Sequence, residues 1–251
     1  MISISRVQHR IGQADILRNI TLDLPAEGIT ALIGPNGAGK STLMSLMARL
    51  TPLQAGQITV EGLDITRTPS RDLAQRMAIL PQNATVFSRL RVKELVAFGR
   101  WPHHRGRPGP SDHAQVAAAL QSLALDDLSD RFLDELSGGQ RQRAHLAMAL
   151  AQDTDWLLLD EPLAALDMAH ARGLMQTLAR LRDQGKSIVL VVHEVNYAAA
   201  WADYVVALKA GRVVANGPPD EVFTEDVLSS IYDTRLRVTR QDGRPLVLHH
   251  L

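Results

Sequence analysis

The stretch Gly34-Pro35-Asn36-Gly37-Ala38-Gly39-Lys40-Ser41, with Thr42 after it, fits the phosphate-loop pattern G-x-x-x-x-G-K-[ST]. The apolar run at residues 29–33 precedes it and is typical of a short buried strand. Beyond the loop, apolar residues recur at the spacing of one helix face: Leu43, Leu46, Met47 and Leu50. Strand, glycine-rich loop and helix together predict a site for the phosphates of a nucleotide.

The residue types in this loop suit phosphate chemistry. Its glycines permit unusual backbone angles and close approach, so backbone amides can surround the β-phosphate. Lys40 is predicted to bind the β- and γ-phosphates, and the Ser41 hydroxyl is predicted to ligate Mg²⁺. A glycine-rich turn before a helix is the alternative, but the complete strand, loop, Lys-Ser pair and helix favour the phosphate site.

A second segment, residues 156–162, is an apolar run that ends in two adjacent carboxylates and a proline. A fully apolar run suits the middle of a parallel sheet, where both faces are buried. Asp160 would then hold Mg²⁺ through a water, and Glu161 could polarise the water that attacks the γ-phosphate. Two carboxylates that merely face solvent are the alternative, but the loop at Lys40 already requires a metal ligand.

A third segment, Leu136-Ser137-Gly138-Gly139-Gln140, has the features of a helix start. Ser137 is a good N-cap, and Gln140, three residues on, completes a capping-box pattern before an Ala- and Leu-rich helix. The two glycines leave backbone N–H groups uncovered at the positive end of that helix, which suits a terminal phosphate. The chain thus has a second anion site in addition to its phosphate loop.

The phosphate loop and LSGGQ together resemble the ATP-binding-cassette (ABC) ATPases. In that family, the LSGGQ of one subunit closes over the nucleotide that its partner holds. The resemblance implies a homodimer with two ATP molecules and Mg²⁺ at its interface. The implied nucleotide-binding residues are those of the phosphate loop through Thr42, together with Ser137, Gly138, Gly139 and Gln140.

Three single residues take their roles from the same resemblance. Gln82 matches the glutamine that reaches the metal and the attacking water, and His193 matches the histidine that contacts the γ-phosphate. Asp167 matches an aspartate at the dimer interface. Each residue type is more often structural when it stands alone, but the order and spacing of these three between the stronger motifs favour the functional roles. With Glu161, Gln82 and His193 form the implied catalytic set.

The sequence departs from the family pattern at the adenine site. Many members carry an aromatic residue near the N-terminus that stacks on adenine, and that position falls at or near Ile11 here. No Tyr, Phe or Trp occurs before Phe87. Adenine would therefore pack on Ile11 or on the stem of Arg10, and we expect GTP to compete appreciably with ATP. Ala164 also stands where a polar residue is usual beyond the second segment.

Composition bounds the class of protein. The 251 residues include 27 Lys and Arg and 27 Asp and Glu, so the basic excess of a nucleic-acid-binding protein is missing. The absence of Cys excludes disulfides and thiolate metal sites, and it fits a reducing compartment. No apolar run approaches the ~20 residues that span a bilayer, and the N-terminus lacks the apolar core of a signal peptide. Any membrane channel is therefore expected to be another chain.

The expected fold class is α/β: a P-loop NTPase core with a parallel sheet, an N-terminal antiparallel β subdomain and an inserted helical subdomain that carries LSGGQ. The chain is predicted to be one nucleotide-binding domain. Residues 1–84 and 151–251 would form the ATPase core with its antiparallel β region, and about 85–150 the helical subdomain. Helices are predicted there from Val92 to Phe98, from Ala114 to Leu125 and after LSGGQ. Alternation predicts a hairpin around residues 209–211 and another, around Asp242-Gly243, in the C-terminal tail at 235–251.

Three stretches resemble the ATPase subunits of ferric-siderophore importers: Phe98-Gly99-Arg100 with the aromatic, Pro and basic residues after it, Glu161-Pro162-Leu163 with Leu166-Asp167-Met168, and the Gly217-Pro218-Pro219 turn. Those subunits work as a homodimer at the cytoplasmic face of the membrane, under two permease chains. A separate binding protein delivers the cargo to the permease. Residues from about 87 to 101 would form part of the groove that receives the permease. Charge reversal at Arg91 or Arg100 is then expected to uncouple transport while ATPase activity remains.

Other functions remain open at this point. Haem and cobalamin importers are the nearest alternatives, because nothing in such an ATPase subunit touches the cargo. A soluble ABC ATPase of the Fe–S assembly type would fit the chain length and the lack of membrane spans. A small-molecule kinase would leave LSGGQ without a role.

Overall fold

The computed structural model describes residues 1–82, 89–104, 106–164 and 166–248. The chain divides into two compact units, a first unit of Met1–Thr68 with Ser187–Leu251 and a second unit of Pro69–Lys186. In the described part of the chain, no helix is both long enough and apolar enough to cross a lipid bilayer.

Strands and helices alternate through most of the chain. The strands, in chain order, are β1 (Ile2–Ile11), β2 (Ala14–Leu24), β3 (Gly28–Ile33), β4 (Ala55–Val60), β5 (Leu63–Asp64), β6 (Met77–Leu80), β7 (Trp156–Asp160), β8 (Ser187–Val191), β9 (Tyr204–Lys209), β10 (Arg212–Gly217), β11 (Arg237–Gln241) and β12 (Arg244–Leu248). The α-helices are α1 (Lys40–Met47), α2 (Ser70–Ala74), α3 (Val92–Phe98), α4 (Trp101–His104), α5 (Pro110–Ser122), α6 (Gly138–Ala151), α7 (Met168–Asp183), α8 (Val195–Trp201), α9 (Pro219–Val222) and α10 (Glu225–Tyr232).

An antiparallel sheet with strand order β2-β1-β4-β5 begins the first unit. β1 forms a hairpin with β2 and pairs with β4 on its other side. Ile2, Ile4 and Val7 in β1 are buried because one face of the sheet packs on the core. Ser5 and Arg6 are both exposed because the register with β2 shifts between Ile4 and Val7, where Arg6 has φ 51°. The expected N-terminal antiparallel region is confirmed, and β4 and β5 extend it.

The first unit also holds β10, β9, β3 and β8 side by side. β3 runs parallel to both of its neighbours, with Ala31 opposite Leu190 in β8 and opposite Val205 in β9. Strands flanked in this way are buried on both faces, which explains the continuous apolar run. The helix after the phosphate loop is shorter than its apolar pattern predicts. α1 ends at Met47, and Leu50 lies beyond it, exposed.

Both predicted hairpins of the first unit are present. β9 and β10 pair antiparallel across the turn at Ala210 and Gly211, which both have positive φ. β11 and β12 pair across Asp242 and Gly243, which also have positive φ. Asp and Gly are the residue types that adopt this backbone conformation most readily in a two-residue turn.

Helices dominate the second unit, where β6 and β7 form a parallel pair with Leu80 opposite Leu159. α3 and α6 approach so closely that a Cβ on Gly99 would lie 2.1 Å from the carbonyl oxygen of Met148. The helix expected from Ala114 to Leu125 instead begins at Pro110 and ends at Ser122. Proline suits the first turn of a helix, and the side chain of Asp112 accepts a hydrogen bond from the Gly109 N–H at 2.9 Å.

Arg100 is a structural residue rather than an available surface charge. Its Nε donates to Asp112 at 3.0 Å, and its guanidinium also donates to the Ala151 carbonyl at the end of α6 at 2.8 Å. Both side chains are about nine-tenths buried. The expectation that charge reversal at Arg100 acts only on coupling is therefore wrong, because the reversal would break a buried ion pair.

Candidate nucleotide-binding site

The phosphate loop needs glycine at its two ends. Gly34 has φ 137°, and a Cβ there would lie 2.0 Å from the carbonyl oxygen of Leu208 in β9. Gly39 has φ 101°, and a Cβ there would lie 2.6 Å from the Leu17 side chain in β2. Both positions combine a left-handed backbone with close neighbours, so neither can carry a side chain without local rearrangement.

Lys40 begins α1 and folds back over the loop. It is 5% exposed, and its Nζ donates to the carbonyl oxygens of Gly34 at 2.8 Å and Pro35 at 3.1 Å. The ammonium group is therefore held at the centre of the loop by oxygens of the loop itself. Ser41 and Thr42 follow in the first turn of α1, and Asn36, Gly37 and Ala38 complete the loop.

His193 follows the strand next to the one that leads into the phosphate loop. Leu32 in β3 lies opposite Val191 in β8, and the Val192 N–H donates to the Leu32 carbonyl at 3.4 Å. The carboxyl ends of parallel strands lie at the same edge of a sheet. The first unit thus brings His193, which is exposed, to the edge that carries Gly34.

The second unit gathers the predicted carboxylates and Gln82 in the same way. Leu80 at the end of β6 lies opposite Leu159 in β7, so Gln82 lies just after β6 and Asp160 at the end of the neighbouring parallel strand. Asp160 is 5% exposed, and Glu161 next to it has φ 53°. A left-handed backbone is uncommon for a residue with a side chain, and such strain is often found at functional sites.

The capping box predicted at LSGGQ is present. The Gln140 N–H donates to Ser137 Oγ at 3.3 Å, and the Ser137 N–H donates to Gln140 Oε1 at 3.0 Å. Leu136 is buried and anchors the segment, whereas Ser137 and Gly138 are exposed. A Cβ on Gly138 would meet no atom within 4 Å in the described structure. The start of α6 therefore presents an open, glycine-lined surface.

Asp167 caps α7. Its Oδ1 accepts hydrogen bonds from the backbone N–H of His170 at 2.8 Å and lies 2.9 Å from His170 Nδ1. The backbone hydrogen bond from His170 is the main cause that lowers the pKa of Asp167. The contact with His170 was missed in the sequence, because an N-cap aspartate accepts from the backbone of the residue three positions on, whatever its side chain. Ala164 is described, but Ala165 lies outside the described residues.

Ile11 lies at the end of β1, at the tip of the β1–β2 hairpin, and is 60% exposed. Its neighbour Arg10 pairs with Asp15 across the hairpin at 2.9 Å. The backbone of Arg10 also exchanges two hydrogen bonds with the Gln54 side chain, at 2.8 and 3.0 Å. The tip is thus held in place and offers an aliphatic side chain rather than an aromatic one.

Tyr232 is a further residue near the phosphate loop that the sequence analysis missed. Burial raises the pKa of its hydroxyl to about 12, and a hydrogen bond from the Gly34 backbone opposes that rise. Tyr232 ends α10, almost 200 residues after Gly34, so no local pattern could have indicated the contact. The predicted residues thus fall into two sets, one in each unit, and Tyr232 joins the first.

Relatives identify the family. The profile of the ABC transporter family matches residues 17–164. The petrobactin import ATP-binding protein YclP of Bacillus subtilis (strain 168) is 43% identical over 245 residues, which cover 97% of this chain and 97% of YclP.

Solved structures agree on the fold. A metal-chelate type ABC transporter in an inward-facing conformation aligns with a TM-score of 0.83 and 25% identity, over 98% of this chain and 96% of that chain. The dimeric post-hydrolysis structure of the ATP-binding cassette MJ0796, bound to ADP and Pi, aligns with a TM-score of 0.78 and 25% identity, over 87% of this chain and 99% of that one. The α/β fold of the ABC ATPases is confirmed, and the chain belongs to the ABC transporter family as one of its ATP-binding subunits.

Proposed function

We propose that this chain is the ATPase subunit of an iron-siderophore importer and works as a homodimer under a separate membrane permease. The observation that carries the proposal is that one chain has both a glycine-rich loop closed by Lys40 and an open, capped helix start at Ser137, two features that suit phosphate groups. The name of YclP, a petrobactin import ATP-binding protein, supports a siderophore as cargo.

In the proposed site, the loop amides and Lys40 hold the β- and γ-phosphates of ATP. Ser41, Gln82 and Asp160 would hold Mg²⁺, because hydroxyl, amide and carboxylate oxygens are the ligands that this ion prefers. Among the described residues, no cluster of three or more His, Cys, Asp or Glu side chains offers a competing metal site. When bound, Mg²⁺ neutralises charge on the phosphates.

The proposed chemistry is attack of water on the γ-phosphate. Glu161 accepts the proton of that water, which is expected to contribute about 10²- to 10⁴-fold to the rate. His193 contacts the γ-phosphate, and Gln82 orients the water. Adenine packs on Ile11 or on the stem of Arg10.

The second phosphate site needs a partner subunit. Ser137, Gly138, Gly139 and Gln140 would close over the γ-phosphate held by the other copy of this chain, since exposed backbone N–H groups at a helix start attract anions. Asp167 would lie at the same interface. The dimeric structure of MJ0796 supports this arrangement. Closure of the dimer on ATP would move the permease-binding surfaces of the two subunits together, and hydrolysis would let them separate again.

A groove in the second unit is the proposed permease site. It has a volume of about 410 Å³ and is lined in part by the large exposed side chains of Phe98 and Trp101, which are 51% and 58% exposed. Part of the lining, from Leu90 to Trp101, falls within the expected stretch from Phe87 to Trp101, whereas other lining residues such as His113 and Val116 lie beyond it. Phe87 itself lies outside the described residues. Such exposed aromatic side chains favour contact with another protein chain. The subunit would then lie at the cytoplasmic face of the membrane and meet the binding protein only through the permease.

The test is gentle extraction of the chain from its native membranes, followed by identification of the proteins that come with it. Recovery with a many-span permease is expected, and uptake of labelled ferric siderophore, haem and cobalamin by the same cells then separates the three cargoes. Recovery without any membrane partner would contradict the import proposal and favour the Fe–S assembly alternative.

Two variants test the groove itself. Trp101→Glu is expected to abolish uptake while ATPase activity of the isolated subunit stays within about twofold, because the side chain is exposed and surface changes cost little stability. Arg91→Glu tests the charge-reversal prediction next to the groove, since Arg91 follows the lining residue Leu90 and faces Asp130 on the exposed surface. Unchanged uptake in both variants would remove this groove from the permease contact.

A further inference from the structure

The C-terminal hairpin is fastened to α8, the helix that begins two residues after His193. Asn196, the second residue of α8, makes a pair of hydrogen bonds with the backbone of Val247 in β12. Its Nδ2 donates to the Val247 carbonyl at 3.1 Å, and its Oδ1 accepts from the Val247 N–H at 2.8 Å. Val247 is 2% exposed, so the contact is sheltered from competing water.

These two hydrogen bonds satisfy backbone groups at the edge of β12 that faces away from β11. Val247 lies opposite Val238 in the hairpin, but its N–H and carbonyl are engaged by Asn196, so both point away from β11. A primary amide presents one donor and one acceptor side by side, as a neighbouring strand would. Asn196 therefore occupies the outer edge of β12, and few other side chains could satisfy both backbone groups at once.

The hairpin is also tied to the preceding helices. The Val238 N–H donates to Glu225 Oε1 in α10 at 3.1 Å, and Arg240 pairs with Asp220 in α9 at 2.8 Å. Tyr232 at the end of α10 lies beside the Gly34 backbone, which lowers the pKa of its hydroxyl against the effect of burial. One continuous segment therefore joins the first residue of the phosphate loop to the helix that follows His193.

His193 lies on a short connection that is fixed at both of its ends. Before His193, the Val192 N–H donates a hydrogen bond to the Leu32 carbonyl, next to the phosphate loop. After His193, α8 is held by Asn196 against β12. We propose that Asn196 is a positioning residue: by fixing α8 to the C-terminal hairpin, it holds His193 where it can contact the γ-phosphate. This inference rests on the role of His193 in the proposed function.

The test is a double-mutant cycle on His193 and Asn196 in the full-length protein, read out as single-turnover ATP hydrolysis and as ATP affinity. Asn196→Leu removes both hydrogen bonds at similar volume. It is expected to lower the hydrolysis rate about 10- to 100-fold, the scale of a small misplacement of a reacting group, while ATP affinity stays within about threefold. In the His193→Ala background, Asn196→Leu is expected to cause no further loss.

Two controls separate positioning from a general loss of structure. Arg240→Gln breaks an exposed ion pair of the same hairpin and leaves Asn196 untouched, so its hydrolysis rate is expected to match that of the unmodified protein. Asn196→Asp keeps the volume and one acceptor but loses the donor at neutral pH, and it is expected to show an intermediate rate. If Asn196→Leu does not fold, Asn196→Asp replaces it in the double-mutant cycle with His193→Ala.

Each outcome has a distinct meaning. Equal losses from the Asn196 variants with and without His193 would overturn the positioning role, because additive effects indicate independent sites. Normal hydrolysis in the Asn196 variants would overturn it as well. Normal hydrolysis in His193→Ala alone would instead contradict the proposed function of His193, on which the inference depends.

Discussion

The Nζ atom of Lys40 lies 2.8 Å from the carbonyl oxygen of Gly34, so the lysine at the end of the phosphate loop contacts the glycine at its start. The loop is thus closed by one of its own side chains. Gly34 in turn contacts β9 through Leu208 and α10 through Tyr232. The position of the phosphate site therefore depends on strands and helices that are far apart in sequence.

Gly34→Ala is expected to lower the free energy of unfolding by more than Gly37→Ala does. Both glycines have positive φ, a conformation whose strain costs an ordinary residue about 1–3 kcal/mol. Only at Gly34 would the new Cβ also meet a backbone atom, the Leu208 carbonyl oxygen at 2.0 Å. Urea unfolding of the two variants measures the difference. Equal losses in the two variants would show that the close approach of β9 adds no cost to a side chain at Gly34.

Arg100→Met is expected to lower the free energy of unfolding clearly, because it removes the cation from the Asp112 carboxylate, whose side chain is only 10% exposed. Arg240→Met breaks an ion pair whose side chains are 60% and 61% exposed, so its cost should be only about 0–1 kcal/mol. Thermal and urea unfolding of both variants check the contrast. A stable, well-folded Arg100→Met would contradict the structural role of the pair.

Ile11→Tyr is expected to strengthen ATP binding by up to about 1–3 kcal/mol, the contribution of one base stacked on an aromatic ring. Without that ring, the unmodified protein should hydrolyse GTP with a KM close to that for ATP. Leu50→Tyr adds the same side chain at another exposed position and should change neither KM. A large ATP preference in the unmodified protein would refute the adenine contact at Ile11.

Tyr232 should make the folded state sensitive to alkali. Its pKa is raised from 10.0 to about 12 in the folded protein, so the unfolded chain loses the proton first. The stabilising effect is thus complete below pH 10 and is lost between pH 10 and about 12, by roughly 1.4 kcal/mol per pH unit. Tyr232→Phe lacks this loss, so the stability difference between the two proteins should change only in that window. A difference independent of pH would argue against the raised pKa.

Much of the fold could be predicted from the sequence, because it depends on local patterns. The strand before Gly34, the capping box at Ser137 and the turn at Asp242 each follow from adjacent residues with well-defined preferences. The helix around Pro110 was predicted four residues late, since its start depends on a proline and an Asp112 cap rather than on apolar spacing.

The contacts that join distant segments could not be predicted in this way. Nothing near Asn196 indicates that its amide binds Val247, and nothing near Arg100 indicates that Asp112 neutralises it. Such partners are chosen by tertiary packing, which brings together residues whose local sequences carry no signal for each other. The roles of the predicted site residues were inferred from the family resemblance. The tertiary contacts that hold those residues in place could be seen only in the structure.

The most direct test of the account is the oligomeric state of Glu161→Gln with and without ATP, measured by light scattering during gel filtration. Removing the proposed base should leave ATP binding intact while hydrolysis nearly stops, so the protein should be a dimer with ATP and a monomer with ADP. Adding Ser137→Arg, which fills the open start of α6, should keep it monomeric with ATP still bound. A monomer in ATP, or near-normal hydrolysis by Glu161→Gln, would contradict an ATPase that works at the interface between two copies of this chain.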